Sequence, residues 1–112
     1  MIKINKPWGY EQIISINKKY VMKKLFMKKN HRCSLQFHNK KHETVIVLKG
    51  KLRIHSGKNK TKLKSKIYKK YQSLIIPPKL IHRMEAITDC LYLEASTPQL
   101  KDLVRLSDDY NR

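Results

Sequence analysis

Three side chains close together in the sequence, and a fourth further along, are of the types that bind a divalent cation. In Ser34-Leu35-Gln36-Phe37-His38, the two-residue period of an extended chain sends Ser34, Gln36 and His38 to one face and Cys33, Leu35 and Phe37 to the other. An amide oxygen and an imidazole then stand side by side. Glu43 follows after a four-residue turn, at the head of Thr44-Val45-Ile46-Val47-Leu48, where a hairpin could bring its carboxylate back beside His38. A mixed nitrogen and oxygen set of this kind suits Zn, Mn, Fe, Co or Ni rather than a thiolate-seeking ion. The fourth side chain is His82, in Ile81-His82-Arg83-Met84-Glu85 after the Pro77-Pro78 break; a closed barrel could place it opposite the first pair. Spacing alone leaves His82 open between a ligand and a hydrogen-bonded structural histidine. His42 adjoins Glu43 and should face the other way, while His31 and His55 lack partners at ligand spacing, so these three read as non-ligands.

The elements that must position these groups are strands. Turn signals recur at Lys6-Pro7, Lys29-Asn30, Lys49-Gly50, Ser56-Gly57-Lys58-Asn59, Pro77-Pro78 and Thr97-Pro98, a rhythm that predicts an all-β barrel or sandwich. Between them lie β-rich runs: Tyr10 to Ser15, Tyr20 to Met27, Ser34 to His38, Thr44 to Leu48, Lys51 to His55, Thr61 to Tyr68, Ser73 to Ile76, Ile81 to Ala86 and Leu91 to Ala95. None carries a sustained helical period. From Lys60 to Ile67 lysines alternate strictly with Thr, Leu, Ser and Ile, which predicts a strand with one charged face outward and a hairpin over Lys51 to Ile67. At most one short helix is expected, over Thr97 to Val104, with Pro98 in its first turn.

At 112 residues and 40% hydrophobic content, residues 1–112 are expected to form a single domain. No run of about 18 apolar residues occurs, and the N-terminus lacks the apolar stretch of a signal peptide. A cytoplasmic location without membrane insertion is the resulting expectation. Cys33 and Cys90 lack metal or redox spacing and read as buried thiols. The formal charge of +18 points first to a polyanion. Yet of the 26 basic residues only Arg32, Arg53, Arg83, Arg105 and Arg112 are arginines, whose fork is the one that reads base edges. A basic nucleic-acid-binding module is therefore the lesser alternative; the same field attracts small anions such as sugar phosphates. The only glycines are Gly9, Gly50 and Gly57, too few for a loop that cradles phosphates, and nucleotidyl transfer by this chain alone is not expected.

Asn30, Gln36, His38, Glu43 and Gly50 fall at the positions of the first cupin motif, G-x5-H-x-H-x(3,4)-E-x6-G, with Asn for the first glycine and Gln for the first histidine. Asn reaches the left-handed backbone that glycine would supply. The second motif, G-x5-P-x-G-x2-H-x3-N, is matched at Pro77 and His82, whereas Tyr71, Lys79 and Ala86 depart from it. More closely, the chain resembles the cupin domain at the C-terminus of type II mannose-6-phosphate isomerases, often fused to mannose-1-phosphate guanylyltransferase. Lys6-Pro7-Trp8-Gly9-Tyr10-Glu11 is similar to that domain's R-P-W-G-x-Y-E, and Ser34-Leu35-Gln36-Phe37-His38 to its S-L-Q-x-H. Ile76-Pro77-Pro78 with His82-Arg83 is similar to I-P-x-G-x-x-H-R, and Asp108-Asp109-Tyr110-Asn111-Arg112 to D-D-Y-G-R.

The resemblance implies a double-stranded β-helix, or jelly-roll, cupin and one divalent metal on Gln36, His38, Glu43 and His82. It implies an isomerase of the mannose 6-phosphate and fructose 6-phosphate type, serving nucleotide-sugar or polysaccharide biosynthesis, and a homodimer. Lys41 is the catalytic candidate, and Lys41, Arg83 and Arg112 are candidates for holding an anionic sugar substrate. Against the family's Q-x-H-x-H-R-x-E-H-W, Lys41 replaces an arginine and Thr44-Val45 replaces His-Trp. Lysine is a point charge and lacks the arginine fork, so a cupin that binds or modifies another sugar without isomerase activity is the alternative. For Arg83 and Arg112 the structural alternative is pairing with Glu85, Asp108 or Asp109, and for Trp8 it is a place in the core or a dimer contact.

Overall fold

A computed structural model describes residues 2–112. Its strands are β1 (Ile2–Lys6), β2 (Gly9–Ile16), β3 (Val21–Met27), β4 (Leu35–Phe37), β5 (Glu43–Lys49), β6 (Leu52–Gly57), β7 (Lys64–Tyr68), β8 (Ser73–Ile76), β9 (Ile81–Ala86), β10 (Cys90–Ser96) and β11 (Val104–Ser107). They form a six-stranded sheet in the order β1-β2-β3-β10-β5-β8 and a five-stranded sheet in the order β11-β4-β9-β6-β7. Among the described residues there is no helix, and hence none long and apolar enough to cross a membrane. The all-β architecture anticipated from the turn rhythm, and the jelly roll implied by the resemblance, are what form.

Alternation explains the closure of the two sheets. In β5, Glu43, Val45 and Val47 are buried while Thr44, Ile46 and Leu48 are half-buried. The inward residues of the two sheets meet in one core containing Trp8, Leu25, Val45, Leu52, Met84 and Tyr92. Burial of side chains of this size contributes about 1.5–3 kcal/mol each.

Three local expectations are corrected. Thr97 to Val104 is not helical, because its polar groups bond across to the turn at 38–42 rather than within a helix. Thr97 N–H donates to the His42 carbonyl at 2.9 Å, and Thr97 Oγ1 accepts from His42 N–H at 3.0 Å. Second, the lysine-rich strand begins at Lys64 rather than Lys60. Asn59 Oδ1 accepts from Thr61 N at 3.0 Å and from Thr61 Oγ1 at 2.9 Å, curling the preceding residues into a turn. Third, no single charged face results: β7 is the last strand of its sheet, its register sets Lys66 opposite the buried Ile54, and Lys64 through Ile67 are all exposed. The edge strands β1 and β11, mostly exposed, lack the apolar run that marks the others.

A left-handed backbone occurs at Asn30 (φ 66°), Gly50 (φ 87°), Tyr71 (φ 68°), Lys79 (φ 72°) and Asn111 (φ 56°). Gly50 is required as glycine, since a Cβ there would lie 2.2 Å from the Asp89 carbonyl oxygen.

Candidate metal centre

β4 ends at Phe37, so His38 sits at the start of the turn that leads into β5, whose first residue is Glu43. His82 is the second residue of β9, and the β4–β9 pairing sets Gln36 opposite it. His38, Glu43 and His82 are all buried, and one potential ligand atom from each lies within 4.8 Å of the others. Glu43 Oε1 is 3.2 Å from His82 Nε2 and 3.5 Å from His38 Nε2.

Backbone carbonyls fix both imidazoles. His38 Nδ1 lies 2.5 Å from the Asp102 carbonyl oxygen, and His82 Nδ1 lies 2.9 Å from that of Leu80. A carbonyl only accepts, so each Nδ1 carries a proton and each ring presents its Nε2 to the cluster. Both Nε2 atoms and both Glu43 oxygens are buried without a hydrogen-bond partner. Buried polar atoms left unpaired are costly, and a divalent cation is the partner that two imidazole nitrogens and a carboxylate oxygen suit. The residues present therefore fit the metal that the sequence implies.

The charges around this cluster keep its carboxylate ionised. Burial pushes the Glu43 carboxyl up, but the His38 and His82 imidazoles, Glu94 and the Lys41 ammonium outweigh it and hold the group well below the usual carboxylate range. Glu94, on the neighbouring β10, is pushed up by its own burial and by the charge of Glu43. Lys41 Nζ bridges the two carboxylates, 3.4 Å from Glu43 Oε2 and 3.5 Å from Glu94 Oε2. Burial alone would lower the Lys41 ammonium; Glu94 and Glu43 more than offset that and raise it.

A cavity of about 150 Å³ lies beside this cluster and reaches it at His38. Gln36, His38, Lys41 and Arg112 all line it. Arg83 does not: one residue on from His82, it lies on the opposite face of β9, where Nε donates to the Cys33 carbonyl at 3.0 Å and Nη2 is 3.7 Å from Asp109. Arg112 is also paired, with Asp108 at 3.0 Å. Cys33, placed by alternation away from Gln36, lines the same cavity, because residues 33 and 34 precede β4 and break the strand period. His42 is exposed, His31 stacks on Tyr110, and His55 bonds Ser65 and Glu85, as expected of non-ligands. Trp8 is both core and cavity wall, and its indole N–H is buried without a partner.

Two residues of the site were not singled out from sequence. Glu94 carried a readable signal, an acid at an inward position of an otherwise apolar strand. Asp102 lay inside the stretch expected to be helical. Its carboxylate instead accepts from three consecutive amides, Asn39 at 3.0 Å, Lys40 at 2.6 Å and Lys41 at 2.9 Å, while its carbonyl accepts from His38 Nδ1–H.

Comparison with known proteins decides the family. The model of the family described as mannose-6-phosphate isomerase C-terminal matches residues 1–94. The chain belongs to this family. The matched span includes Gln36, His38, Lys41, Glu43 and His82 but ends before Asp102, Arg105 and Arg112. Among curated proteins none matches the sequence. Among solved structures, the capsular polysaccharide assembling protein CapF from Staphylococcus aureus superposes with a TM-score of 0.82 at 17% identity, covering 95% of this chain and 34% of that one. KdgF from Halomonas sp. gives 0.76 at 12% identity, over 91% of this chain and 92% of that one. An RmlC-like cupin from Shewanella frigidimarina gives 0.77 at 15%, over 90% and 86%. The chain thus spans about a third of the length of CapF and nearly all of the length of KdgF; at these identities the likeness establishes the cupin fold.

Proposed function

We propose that this protein is a metal-dependent cupin acting on an anionic sugar, with one divalent ion held by Gln36, His38, Glu43 and His82. The observation that carries this reading is the convergence of buried, unpartnered ligand atoms beside a cavity in which Lys and Arg side chains outnumber the carboxylates of Glu11 and Glu94. Gln36 Oε1 accepts from Ser34 Oγ at 2.7 Å, which orients the amide and leaves its second lone pair for the ion.

A bound ion would polarise adjacent oxygens of the sugar, the chemistry of aldose–ketose isomerisation through an enediol. The chain's own groups prepare the site. His38 and His82 are held in one tautomer by their Nδ1 bonds, and Glu43 stays ionised against them. Lys41 sits between Glu43 and Glu94 as their shared cation and has N–H groups left for a ligand oxygen. The Trp8 indole N–H offers a further donor to the cavity, and Arg112 adds positive charge to its lining.

Interconversion of mannose 6-phosphate and fructose 6-phosphate, with Lys41 in place of the family's arginine, is the finer reading that family membership supports. Its test is a coupled assay for fructose 6-phosphate on protein loaded with Zn, Mn, Fe, Co or Ni in turn. Turnover that disappears in His82→Ala supports the isomerase. Absence of turnover with the metal fully loaded leaves a cupin that binds or modifies another sugar. Metal analysis of protein purified without a histidine tag decides the coarser reading: about one equivalent per chain is expected, and a metal-free protein that takes up none of these ions on addition overturns it. Light scattering reads the expected homodimer.

A further inference from the structure

The cations that line the cavity are not equivalent. Lys41 is tied to Glu43 and Glu94, Lys23 lies 3.4 Å from Glu11, and Arg112 is paired with Asp108. Among the described residues, Lys6 and Arg105 are the lining cations with no carboxylate within ion-pair distance. The register explains why Arg105 faces this cavity. β11 pairs with β4 so that Arg105 stands opposite Gln36, and β4 pairs with β9 so that Gln36 stands opposite His82. Arg105, Gln36 and His82 therefore form one row across three strands with their side chains on the same side. Two strand spacings separate the ends of that row, roughly 10 Å between backbones. One end carries the candidate metal ligands; the other carries a guanidinium with no carboxylate partner.

We propose that the anionic group of the ligand is held by Arg105 with Lys6 and not by Lys41, which serves as the buried counter-ion of Glu43 and Glu94. The two-pronged donor geometry that Lys41 cannot supply is supplied from another strand. Only the assignment of the opposite end of the ligand rests on the metal-centre reading above.

The test is equilibrium binding of mannose 6-phosphate, inorganic phosphate and mannose at about 150 mM NaCl, where diffuse surface attraction is largely screened. The proteins are the wild type, Arg105→Gln, Arg105→Lys, Lys41→Gln and, as a control for simple loss of charge, Lys66→Gln on the exposed edge strand. Arg105→Gln is expected to weaken mannose 6-phosphate and phosphate binding about ten-fold or more, with metal content unchanged. Arg105→Lys should recover part of the loss, and Lys66→Gln should change binding less than about two-fold. Failure of the wild type to prefer mannose 6-phosphate over mannose overturns the proposal, as does an Arg105→Gln result matching Lys66→Gln or a larger loss in Lys41→Gln. A protein that binds phosphate through Arg105 but holds no metal sinks the metal reading and leaves this one standing.

Discussion

His38 and Glu43 flank the turn between β4 and β5, whereas His82 follows the turn between β8 and β9, and the two turns are secured by different means. The first is clasped from outside: Asp102 accepts from the amides of Asn39, Lys40 and Lys41, and Thr97 pairs with His42. The second has no such clasp. Pro77 and Pro78 restrict the backbone from within, Leu80 N–H reaches back to the Pro77 carbonyl at 3.3 Å, and Lys79 N–H donates to the His38 carbonyl at 2.7 Å. The second turn leans on the first. Tyr71 and Lys79, which stand where the second cupin motif has glycine, keep the left-handed backbone at a cost of about 1–2 kcal/mol per residue. A motif can thus lose its residues and keep its geometry, provided that packing and a neighbouring turn hold it.

The largest effect should come from removing a ligand on each side. Gln36→Ala combined with His82→Ala is expected to abolish metal binding, measured by elemental analysis, while circular dichroism still reports the β fold. If His38→Ala abolishes binding but His82→Ala does not, the second turn contributes no ligand and the comparison breaks. Next in size is the clasp. Asp102→Ala should weaken metal affinity about 10–100-fold in competition with a chelator, and Asp102→Asn, which keeps one acceptor oxygen, should recover part of it; Lys79→Ala should shift the same affinity far less. The smallest effect concerns backbone strain. Tyr71→Gly is expected to raise stability by about 0.5–1 kcal/mol in chemical denaturation, the left-handed penalty less the entropy of an added glycine and the stacking of Lys70 on the Tyr71 ring. Asn30→Gly should change it by no more than a few tenths, because Asn already tolerates that conformation.

Strands were legible as β-rich runs between turn signals, as in Thr44 to Leu48, and the two-residue period of a strand then sorts their side chains between faces. The candidate ligands Gln36, His38 and Glu43 could be picked out by that period together with motif spacing, and His82 by its place after Pro77-Pro78; the fold brings His38, Glu43 and His82 together. What alternation cannot show is where the chain goes when both faces are wet, hence the unforeseen edge strands β1 and β11 and the displaced start of β7. Nor does it show pairings distant in sequence. Asp102 sits more than sixty residues from the amides it binds, and the row linking Arg105 to Gln36 exists only once β11 has found β4.

One carboxylate accepting from three successive amides leaves the loop that follows His38 little freedom before any ion or sugar arrives. The ordering entropy of that loop is spent when the chain folds, not when a ligand binds. Binding at this end of the barrel should therefore proceed without a slow conformational step, and the rate at which an ion enters should be governed by access through the cavity mouth rather than by rearrangement of the turn.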